Sequence, residues 1–591
     1  MAQLDKVDVV TVGAGWTSGI LAQQLTAEGM SVVSLEQGPM RETHPDFTAP
    51  WEHDELRYQV RRDMMVDLSQ ETWTWRPGPN NTALPMRQYG SFNPGKGVGG
   101  AGIHWAAQNW RFYPSDFQYR THHIGRYGED KLPAGNRIQD WPITYEDLEP
   151  FYDQFEYDIG VSGKAGNIQR QQIDGGNVFE GARQREYPLP PLPTSITANR
   201  FTEATKELGY HPLPQPAAIL SEAYTDASGE ERGACLLCGF CTRYGCEIDA
   251  KASAITTHIP MAMKTGKYEI RTNAYVFHID TDGDGLATGV RYIDASGREQ
   301  FQPADIVIVS AFPLMNAKLL LMSDGPAHKN GVGNDWNLVG KNYTYQLGGG
   351  GSSGLLEGMR LNRFMGNRCV QSLIHDFNAD NFDHSDLDFI GGGSIGSGGG
   401  ERTPVSSVGG VSAVSGARWG QEWKDALRSD WDSVVSVGLQ GESLPYEDSF
   451  LDLDPTYRDR FGFPLLRLTF DWHENDYNLV RYLSTKMKEM LETMGATNIQ
   501  TQEELNPYSI APYQSTHNTG GAIMGSDQGN SVVNKYSQVW DTPNVFVTGA
   551  SNFPQNAGMN PTGTVCALAY HTAHGNINSY LNAQGEIISD A

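Results

Sequence analysis

The stretch "VDVVTVGAGWTSGILAQQLTAEGMSVVSLEQG", residues 7–38, decides the fold. Its apolar run at 7–12 predicts a strand that is buried on both faces. The turn "GAGWTSG" follows, then a helical stretch to Gly29 and a second strand over 32–35 that ends at Glu36. This order predicts a βαβ unit whose glycine turn brings the backbone close to a pyrophosphate at a helix N-terminus. Glu36, about 20 positions after the turn, is placed to accept hydrogen bonds from an adenosine ribose.

The glycine turn departs from the usual pattern in one place. Gly13 and Gly15 stand where they are expected, but Ser18 occupies the position of the third glycine, with Gly19 next to it. Serine is small enough for the close packing of helix on strand that this position requires. The alternative is a glycine-rich turn that binds no nucleotide, which the complete strand–turn–helix–strand–Glu order disfavours.

Length and charge exclude several classes of protein. A chain of 591 residues implies two or more lobes. Its net charge of −26 repels phosphate backbones and anionic lipids, which argues against nucleic-acid binding and direct membrane binding. No apolar run reaches the length of about 18 residues that a membrane span needs. The N-terminus shows no secretion signal, so the sequence alone predicts a cytoplasmic protein, and export would need a partner that carries the signal.

Several further segments have a readable local structure. The glycine-rich runs at 347–354 and 391–400 predict loops or bulged strands rather than linkers. Residues 304–323 predict a buried strand, a turn and an apolar helix. A helix is expected to begin after Thr144, with Asp147 completing a capping box, and another is expected over 476–494.

Taken in order, four segments resemble the glucose–methanol–choline (GMC) family of FAD oxidoreductases: 93–112, 304–323, 516–525 and 542–570. With the first βαβ unit they cover nearly the whole chain. Within the family the resemblance is closest to the flavoprotein subunits of bacterial sugar and sugar-acid dehydrogenases of the gluconate 2-dehydrogenase type. It implies an α/β fold with a Rossmann-like FAD-binding domain, residues 1–345 completed by 535–591 and including the cysteine segment 232–254. It also implies an α+β substrate domain over 346–534, built on an antiparallel sheet.

The resemblance also implies which residues hold FAD. His104 in "GVGGAGIHW" is similar to a histidine that is joined covalently to the flavin in pyranose oxidases; the alternative is a histidine that only hydrogen-bonds near the ring. The residues expected to bind FAD are Gly13, Gly15, Ser18, Glu36, Gly97, Gly99, Gly100, His104, Val276, Gly549, Ala550 and Thr562.

Oxidation of a carbohydrate C–OH group requires a base for the hydroxyl proton and a polar group that orients the hydroxyl while hydride leaves for the flavin. His517 in "HNTGGAIMG" and Asn560 in "GMNPTGTV" suit these roles, and by resemblance they match the pair that faces the flavin in the family. Because an amide cannot accept the proton, His517 is expected to be the base. The alternative is that His517 is an ordinary core histidine.

Four of the six cysteines stand within twelve residues, in "CLLCGFCTRYGC". The spacing C-x2-C-x2-C-x4-C is close to a ferredoxin run but has one extra residue and Glu247 in place of proline. Related sugar dehydrogenase subunits hold a 3Fe–4S centre at a cysteine cluster here. An iron–sulfur cluster is therefore expected, and zinc, disulfides and unligated thiols remain the alternatives. The expected ligands are Cys235, Cys238, Cys241 and Cys246.

The leading functional hypothesis is a dehydrogenase that oxidises a secondary hydroxyl of a sugar or sugar acid and passes electrons through iron–sulfur to a cytochrome c partner. By resemblance, a small subunit with a twin-arginine signal and a membrane-anchored cytochrome c would carry it to the periplasm. The alternatives are a glycoside 3-dehydrogenase, a fructose dehydrogenase, an oxidase that uses O2 and keeps a structural metal or disulfide at the cysteines, and a non-catalytic nucleotide-binding subunit. A sugar acid would need a cation in the pocket, for which Arg360, Arg363 and Arg368 are candidates unless they are surface charges.

Overall fold

The computed structural model describes residues 2–49, 54–69, 71–87, 92–362, 366–399, 408–513 and 515–588. Its first large sheet is built around the strand Val7–Val12, which pairs in parallel with Val32–Glu36 on one side and Glu299–Val309 on the other. Residues 9–12 are buried, as expected for a strand covered on both faces. The strand order of this sheet is Tyr268–Thr272, Val32–Glu36, Val7–Val12, Glu299–Val309, Ala287–Ile293 and Tyr275–Thr281, with Ala2–Gln3 and Val545–Val547 also paired to Glu299–Val309.

The helix Trp16–Ala27 follows the glycine turn directly, with Gly15 as its N-cap, and the predicted βαβ unit is confirmed. Most of its residues are buried because the helix packs against two others, His258–Lys264 and Thr562–Asn578. The strand, turn and helix predicted over 304–323 are also confirmed, as Glu299–Val309 and Pro313–Met322. These elements form the α/β part of the fold.

The second large sheet has six antiparallel strands, in the order Thr497–Gln502, Gly351–Leu355, Val434–Gly441, Gly393–Gly398, Gln371–Ile374 and Leu213–Pro214. Two of its strands lie in the glycine-rich runs that predict loops or bulged strands. The helix Glu474–Thr493 packs on this sheet and begins two residues before the predicted start, because His473 and Asp476 form its capping box. This sheet and helix form the α+β part.

Further elements lie outside the two large sheets. A four-stranded sheet has the order Phe450–Arg458, Pro464–Thr469, Thr74–Arg76 and Leu84–Pro85. The helix Tyr145–Ile159 begins after Thr144, whose hydroxyl accepts from the backbone N–H of Asp147, and the predicted capping box is confirmed. The remaining helices are Thr43–Asp46, Pro114–Phe117, Tyr119–Tyr127, Ile196–Glu207, Val408–Ser415 and Gly420–Asp430.

Three two-stranded pairs complete the architecture. They join Tyr224–Thr225 to Glu231–Arg232, Asn167–Ile168 to Gln171–Gln172, and Thr344–Tyr345 to Asn518–Thr519. The last pair brings residues 344–345 beside residues 518–519, which are far apart in the chain. No helix in the described part of the chain is long and apolar enough to cross a membrane.

Candidate active site

A cavity of about 630 Å³ connects the glycine turn of the first sheet to the strands of the second. Both large sheets contribute to its wall, so it is bounded by each of the two lobes. Eleven of the residues that the sequence assigns to FAD or to catalysis line it: Gly13, Gly15, Glu36, Gly100, His104, Val276, His517, Gly549, Ala550, Asn560 and Thr562.

Three assigned residues, Ser18, Gly97 and Gly99, are not part of the cavity lining and support it from behind. The Ser18 hydroxyl donates to the carbonyl of Gly13 at 2.6 Å and also bonds the hydroxyl of Ser310 at 2.5 Å. The backbone N–H of Gly99 donates to the carbonyl of Ala14 at 2.7 Å. Ser18 therefore holds the glycine turn in place through its hydroxyl, a role that a glycine at this position could not have.

The wall of the cavity at the glycine turn fits a dinucleotide. Gly13 has φ of +99°, which strains any residue with a side chain, and a Cβ there would also crowd the carbonyl oxygen of Ser310 at 3.1 Å. The carboxylate of Glu36 accepts backbone N–H groups from Ala14 at 3.1 Å, Gly38 at 2.8 Å and Gly97 at 3.1 Å. Burial nevertheless raises the pKa of Glu36. The residues present thus fit the adenosine and pyrophosphate of FAD.

His104 lies in the wall with its Nε2 buried and without a hydrogen-bond partner in the described structure. Burial, with a smaller contribution from the nearby charges of Lys251 and Arg243, lowers the pKa of His104 to about 3. The imidazole is therefore neutral at physiological pH, with a lone pair available on a ring nitrogen. The backbone carbonyl of His104 accepts the backbone N–H of Arg243 at 2.7 Å. This bond links the segment around His104 to the cysteine loop, residues 235–246, which carries the four clustered cysteines.

His517 owes its position to the pairing of two short strands. Tyr345 lies opposite Asn518 in that pair, so the next residues along the chain, Gln346 and His517, also face each other. The backbone N–H of Gln346 donates to the carbonyl of His517 at 3.1 Å, and the side chain of Asn556 donates to the same carbonyl at 3.1 Å.

The side chain of Gln346 defines the tautomer of His517. Its Nε2 donates to the carbonyls of Ala557 at 2.6 Å and Met559 at 2.8 Å, so its Oε1 must be the atom that faces His517. That oxygen accepts from Nδ1 of His517 and from Nε2 of Gln440 at 2.7 Å. The proton of the imidazole therefore sits on Nδ1, and Nε2 carries the lone pair.

Asn560 lies next to His517. Its Nδ2 lies 3.3 Å from Nε2 of His517, and its Oδ1 is buried without a partner among the described residues. Burial lowers the pKa of His517 to about 4, so its ring is neutral at physiological pH. A substrate hydroxyl at this point can donate its proton to His517 and accept a hydrogen bond from Asn560, the arrangement that alcohol oxidation requires.

The cysteine loop forms part of the same wall, because Thr242 and Arg243 line the cavity directly after Cys241. The buried ammonium of Lys251 donates to the carbonyls of Trp105 at 3.1 Å, Cys241 at 2.7 Å and Tyr244 at 2.7 Å. These bonds fix the loop against the segment that carries His104.

Two of the clustered cysteine sulfurs accept hydrogen bonds from N–H groups. Cys235 Sγ accepts the backbone N–H of Leu237 at 3.4 Å and the side chain of Asn367 at 3.5 Å. Cys246 receives backbone N–H groups from Ile248 and Lys251, although burial raises the pKa of this thiol. None of the six cysteines, all of which lie in the described part of the chain, forms a disulfide.

The charges on the cavity wall are unusual for a protein this acidic. Glu36, at the glycine turn, is the one carboxylate among the described residues of the lining, whereas Arg243, Lys318 and Arg368 are basic. Lys318 forms an ion pair with Asp459 at 2.9 Å. No carboxylate among the described residues forms an ion pair with the half-buried Arg368.

The other two arginines named as candidates do not share this environment. Arg360 is exposed and does not line the cavity, and Arg363 lies outside the described residues. Sequence reasoning missed Gln346 and Gln440, since neither belongs to a motif with a recognisable spacing. Arg243 lies within the cysteine motif, but nothing in that motif indicates that its side chain reaches the cavity.

Comparisons with known proteins show which family the chain matches. The family profiles of GMC oxidoreductase match residues 139–347 and 445–569. The gluconate 2-dehydrogenase flavoprotein of Pantoea cypripedii is 40% identical over 99% of this chain and 96% of its own length. The 2-methyl-1,2-propanediol dehydrogenase of Mycolicibacterium austroafricanum is 29% identical over 96% of this chain and 94% of its own. The fructose dehydrogenase large subunit of Gluconobacter japonicus is 27% identical over 97% and 98%, respectively.

A solved structure, pyridoxine 4-oxidase from Mesorbium loti, shares the fold with a TM-score of 0.56. It is 16% identical, and the match covers 96% of this chain and 98% of that chain. At this identity the likeness concerns the fold alone.

Proposed function

The chain belongs to the family of GMC oxidoreductases, FAD-dependent enzymes that act on CH–OH groups, and on this basis we propose that it is a dehydrogenase that oxidises a secondary hydroxyl of a sugar acid. The observation that carries the proposal is the arrangement of His517 Nε2 and Asn560 Nδ2, 3.3 Å apart on the wall of a cavity that also includes the dinucleotide cradle and the half-buried Arg368.

The chemistry divides between the cofactor and the protein. FAD, when bound, supplies the acceptor for the hydride that leaves the carbinol carbon. His517 accepts the hydroxyl proton at Nε2, and Asn560 orients the hydroxyl oxygen through Nδ2. Gln346 acts through His517, since it holds the Nδ1–H tautomer and thereby keeps Nε2 available as the base.

Arg368 supports the choice of a sugar acid over a neutral sugar. A guanidinium without an ion pair on the wall of a cavity is suited to bind a carboxylate with two parallel hydrogen bonds. The similarity to a gluconate 2-dehydrogenase flavoprotein points in the same direction. The names of two other relatives specify a neutral diol and a neutral sugar, which makes these the competing substrate classes.

A substrate panel tests the proposal. Aldonates such as gluconate should reduce the holoenzyme with a higher kcat/KM than the matching neutral sugars, fructose and glycosides. In Arg368→Gln the KM for the aldonate should rise about 10–100-fold, because one charge-assisted contact is lost, while the weak turnover of a neutral sugar stays unchanged. Arg360→Gln is the matched control, since Arg360 is exposed and does not line the cavity. A preference of the parent enzyme for a neutral substrate would overturn the sugar-acid assignment.

We further propose that the four clustered cysteines hold an iron–sulfur cluster of the 3Fe–4S type that carries electrons away from the flavin. The N–H groups directed at Cys235 and Cys246 suit thiolate ligands. Thr242 and Arg243 place the loop against the cavity, as a path for electrons requires.

Iron analysis and oxygen uptake separate this role from the oxidase alternative. A dehydrogenase with a cluster should contain iron and should reduce a dye or a cytochrome c far faster than it consumes O2. Zinc in place of iron, together with rapid production of H2O2, would support an oxidase whose cysteines hold a structural metal.

The same proposal includes partners and a location. We propose that a cytochrome c subunit accepts the electrons and that a small subunit with a twin-arginine signal carries the folded, FAD-loaded chain to the periplasm. Cell fractionation tests this: the chain should stay in the cytoplasm when it is expressed without partners and should reach the periplasm when they are present. Its appearance in the periplasm when expressed without partners would contradict the proposal.

A further inference from the structure

Away from the cavity, His328, Asp335 and Asp541 bring three metal-ligand atoms together. The Nδ1 atom of His328 lies 3.8 Å from an oxygen of Asp335 and 3.9 Å from an oxygen of Asp541. All three atoms lie within 4.8 Å of one another. His328 is 3% exposed and Asp541 is largely buried, whereas the side chain of Asp335 is 48% exposed.

The second ring nitrogen of His328 shows how the imidazole is oriented. Its Nε2 lies 3.0 Å from the backbone carbonyl of Gly285, which can only accept, so Nε2 carries the proton. The hydroxyl of Thr542 lies 3.2 Å from the same nitrogen and itself donates to Asp541 Oδ1 at 2.8 Å. Histidines that bind metals usually donate their other N–H to a carbonyl in this way.

The first ring nitrogen is left without a partner. Nδ1 of His328 is buried, makes no hydrogen bond in the described structure, and faces two carboxylates. Asp541 Oδ2 also accepts the backbone N–H of Asp335 at 3.3 Å. The lone pair of Nδ1 and the two carboxylates still repel one another, and a cation between them would relieve this repulsion. The unpartnered Nδ1 atom is evidence for a cation that does not depend on the acidic residues, and it points to the same place as the two carboxylates.

We propose that His328, Asp335 and Asp541 bind a divalent first-row metal ion of the zinc or manganese class. Imidazole nitrogen disfavours Ca²⁺ and Mg²⁺, which take oxygen ligands, whereas one nitrogen and two carboxylates suit zinc and its neighbours. Asp541 is preset for this role, because its other oxygen accepts the backbone N–H of Gly333 at 3.0 Å. Solvent can complete the coordination on the side of the half-exposed Asp335.

The metal would join three segments of the FAD-binding lobe. Gly285 lies in the turn between the strands Tyr275–Thr281 and Ala287–Ile293. His328 and Asp335 lie in the loop after the helix Pro313–Met322, and Asp541 precedes the strand Val545–Val547. Each of these segments adjoins residues of the cavity wall. The role of the metal would therefore be to stabilise the FAD-binding lobe.

Manganese is the probe for the test, because thiolates bind Mn²⁺ poorly and the cysteine cluster will not compete for it. The FAD-loaded enzyme is treated with chelator, and Mn²⁺ is titrated while its EPR signal is followed. The parent should bind Mn²⁺ with a ¹⁴N coupling from an imidazole in pulsed EPR, and Zn²⁺ should displace it. Asp335→Asn should weaken binding by about tenfold or more, and His328→Gln should abolish the ¹⁴N coupling.

The control is Asp376→Asn, which removes the carboxylate from the exposed pair His211–Asp376, where an imidazole faces one carboxylate at 2.7 Å. It should bind Mn²⁺ as the parent does. If His328→Gln fails to fold, Asp335→Asn still decides the matter, because its side chain is half-exposed. Equal binding by Asp335→Asn and the parent, or no ¹⁴N coupling in the parent, would overturn the proposal.

Discussion

Gln346 and His517, 171 residues apart in the chain, form a hydrogen bond that decides which nitrogen of the imidazole is basic. The amide of Gln346 cannot rotate to offer its nitrogen instead, because that nitrogen already donates to the carbonyls of Ala557 and Met559. The lone pair of His517 therefore points to Asn560, beside which we propose that the substrate hydroxyl binds.

The pH dependence of flavin reduction should show this arrangement. His517 acts as a base when it is neutral, and burial lowers its pKa to about 4. The kcat/KM for the reductive half-reaction should therefore stay level from neutral pH downward and fall as the pH drops through about 4. A fall of kcat/KM centred near pH 6.5, the ordinary pKa of histidine, would contradict the assignment of His517 as the base.

Gln346→Glu should shift the pH at which kcat/KM falls to a higher value. An ionised carboxylate beside Nδ1 favours the protonated imidazole and raises the pKa of His517 by about 1–3 units. The acid limb should then appear between about pH 5 and 7, a shift that a purely structural role of Gln346 would not produce. Gln371→Glu is a matched control, since Gln371 lines the cavity and bonds Gln215 instead.

His104 gives a prediction about the attachment of FAD. Its Nε2 is buried without a partner in the described structure, and its lowered pKa keeps the ring neutral and nucleophilic. We expect a covalent bond to the flavin, so acid-precipitated protein should stay yellow and His104→Ala should release its flavin. A colourless pellet from the parent would show that His104 is a neighbour of the flavin without a bond to it.

Local patterns account for what could be predicted from the sequence. The first strand, glycine turn, helix and Glu36 are contiguous, and each follows from short-range stereochemistry. His517 and Asn560 stand in short motifs next to glycines, so a family resemblance was enough to single them out.

Long-range pairing explains what could not be predicted. Gln346 reaches His517 through two strands of two residues each, which are too short to leave a pattern in the sequence. Arg368 lies on the cavity because the neighbouring residues bond the cysteine loop: Gly366 N–H donates to the carbonyl of Leu237 at 2.8 Å. The hydroxyl of Ser18 bonds Ser310, which lies 292 residues away in the chain and shares no sequence pattern with it.

Cys241→Ser tests the path of the electrons. Reduction of the flavin by substrate should survive, because His517, Asn560 and the cavity are unchanged. Transfer to cytochrome c should collapse, while a small dye that reaches the flavin directly is still reduced. Cys566→Ser is the control, since this buried cysteine stands far from the cluster in the sequence. Loss of both half-reactions in a folded, FAD-loaded Cys241→Ser variant would contradict a role in electron transfer.

The most direct test of the account is anaerobic stopped-flow bleaching of the flavin by an aldonate in His517→Ala. The FAD content of the variant should match that of the parent, because the residues of the glycine turn are unchanged. The rate of flavin bleaching should fall by about 10²–10⁴-fold. Asn560→Ala should slow the same step by a smaller factor of about ten, because it removes one hydrogen bond and leaves the base in place. If His517→Ala bleaches within about threefold of the parent, His517 is not the base and the account of the site is wrong.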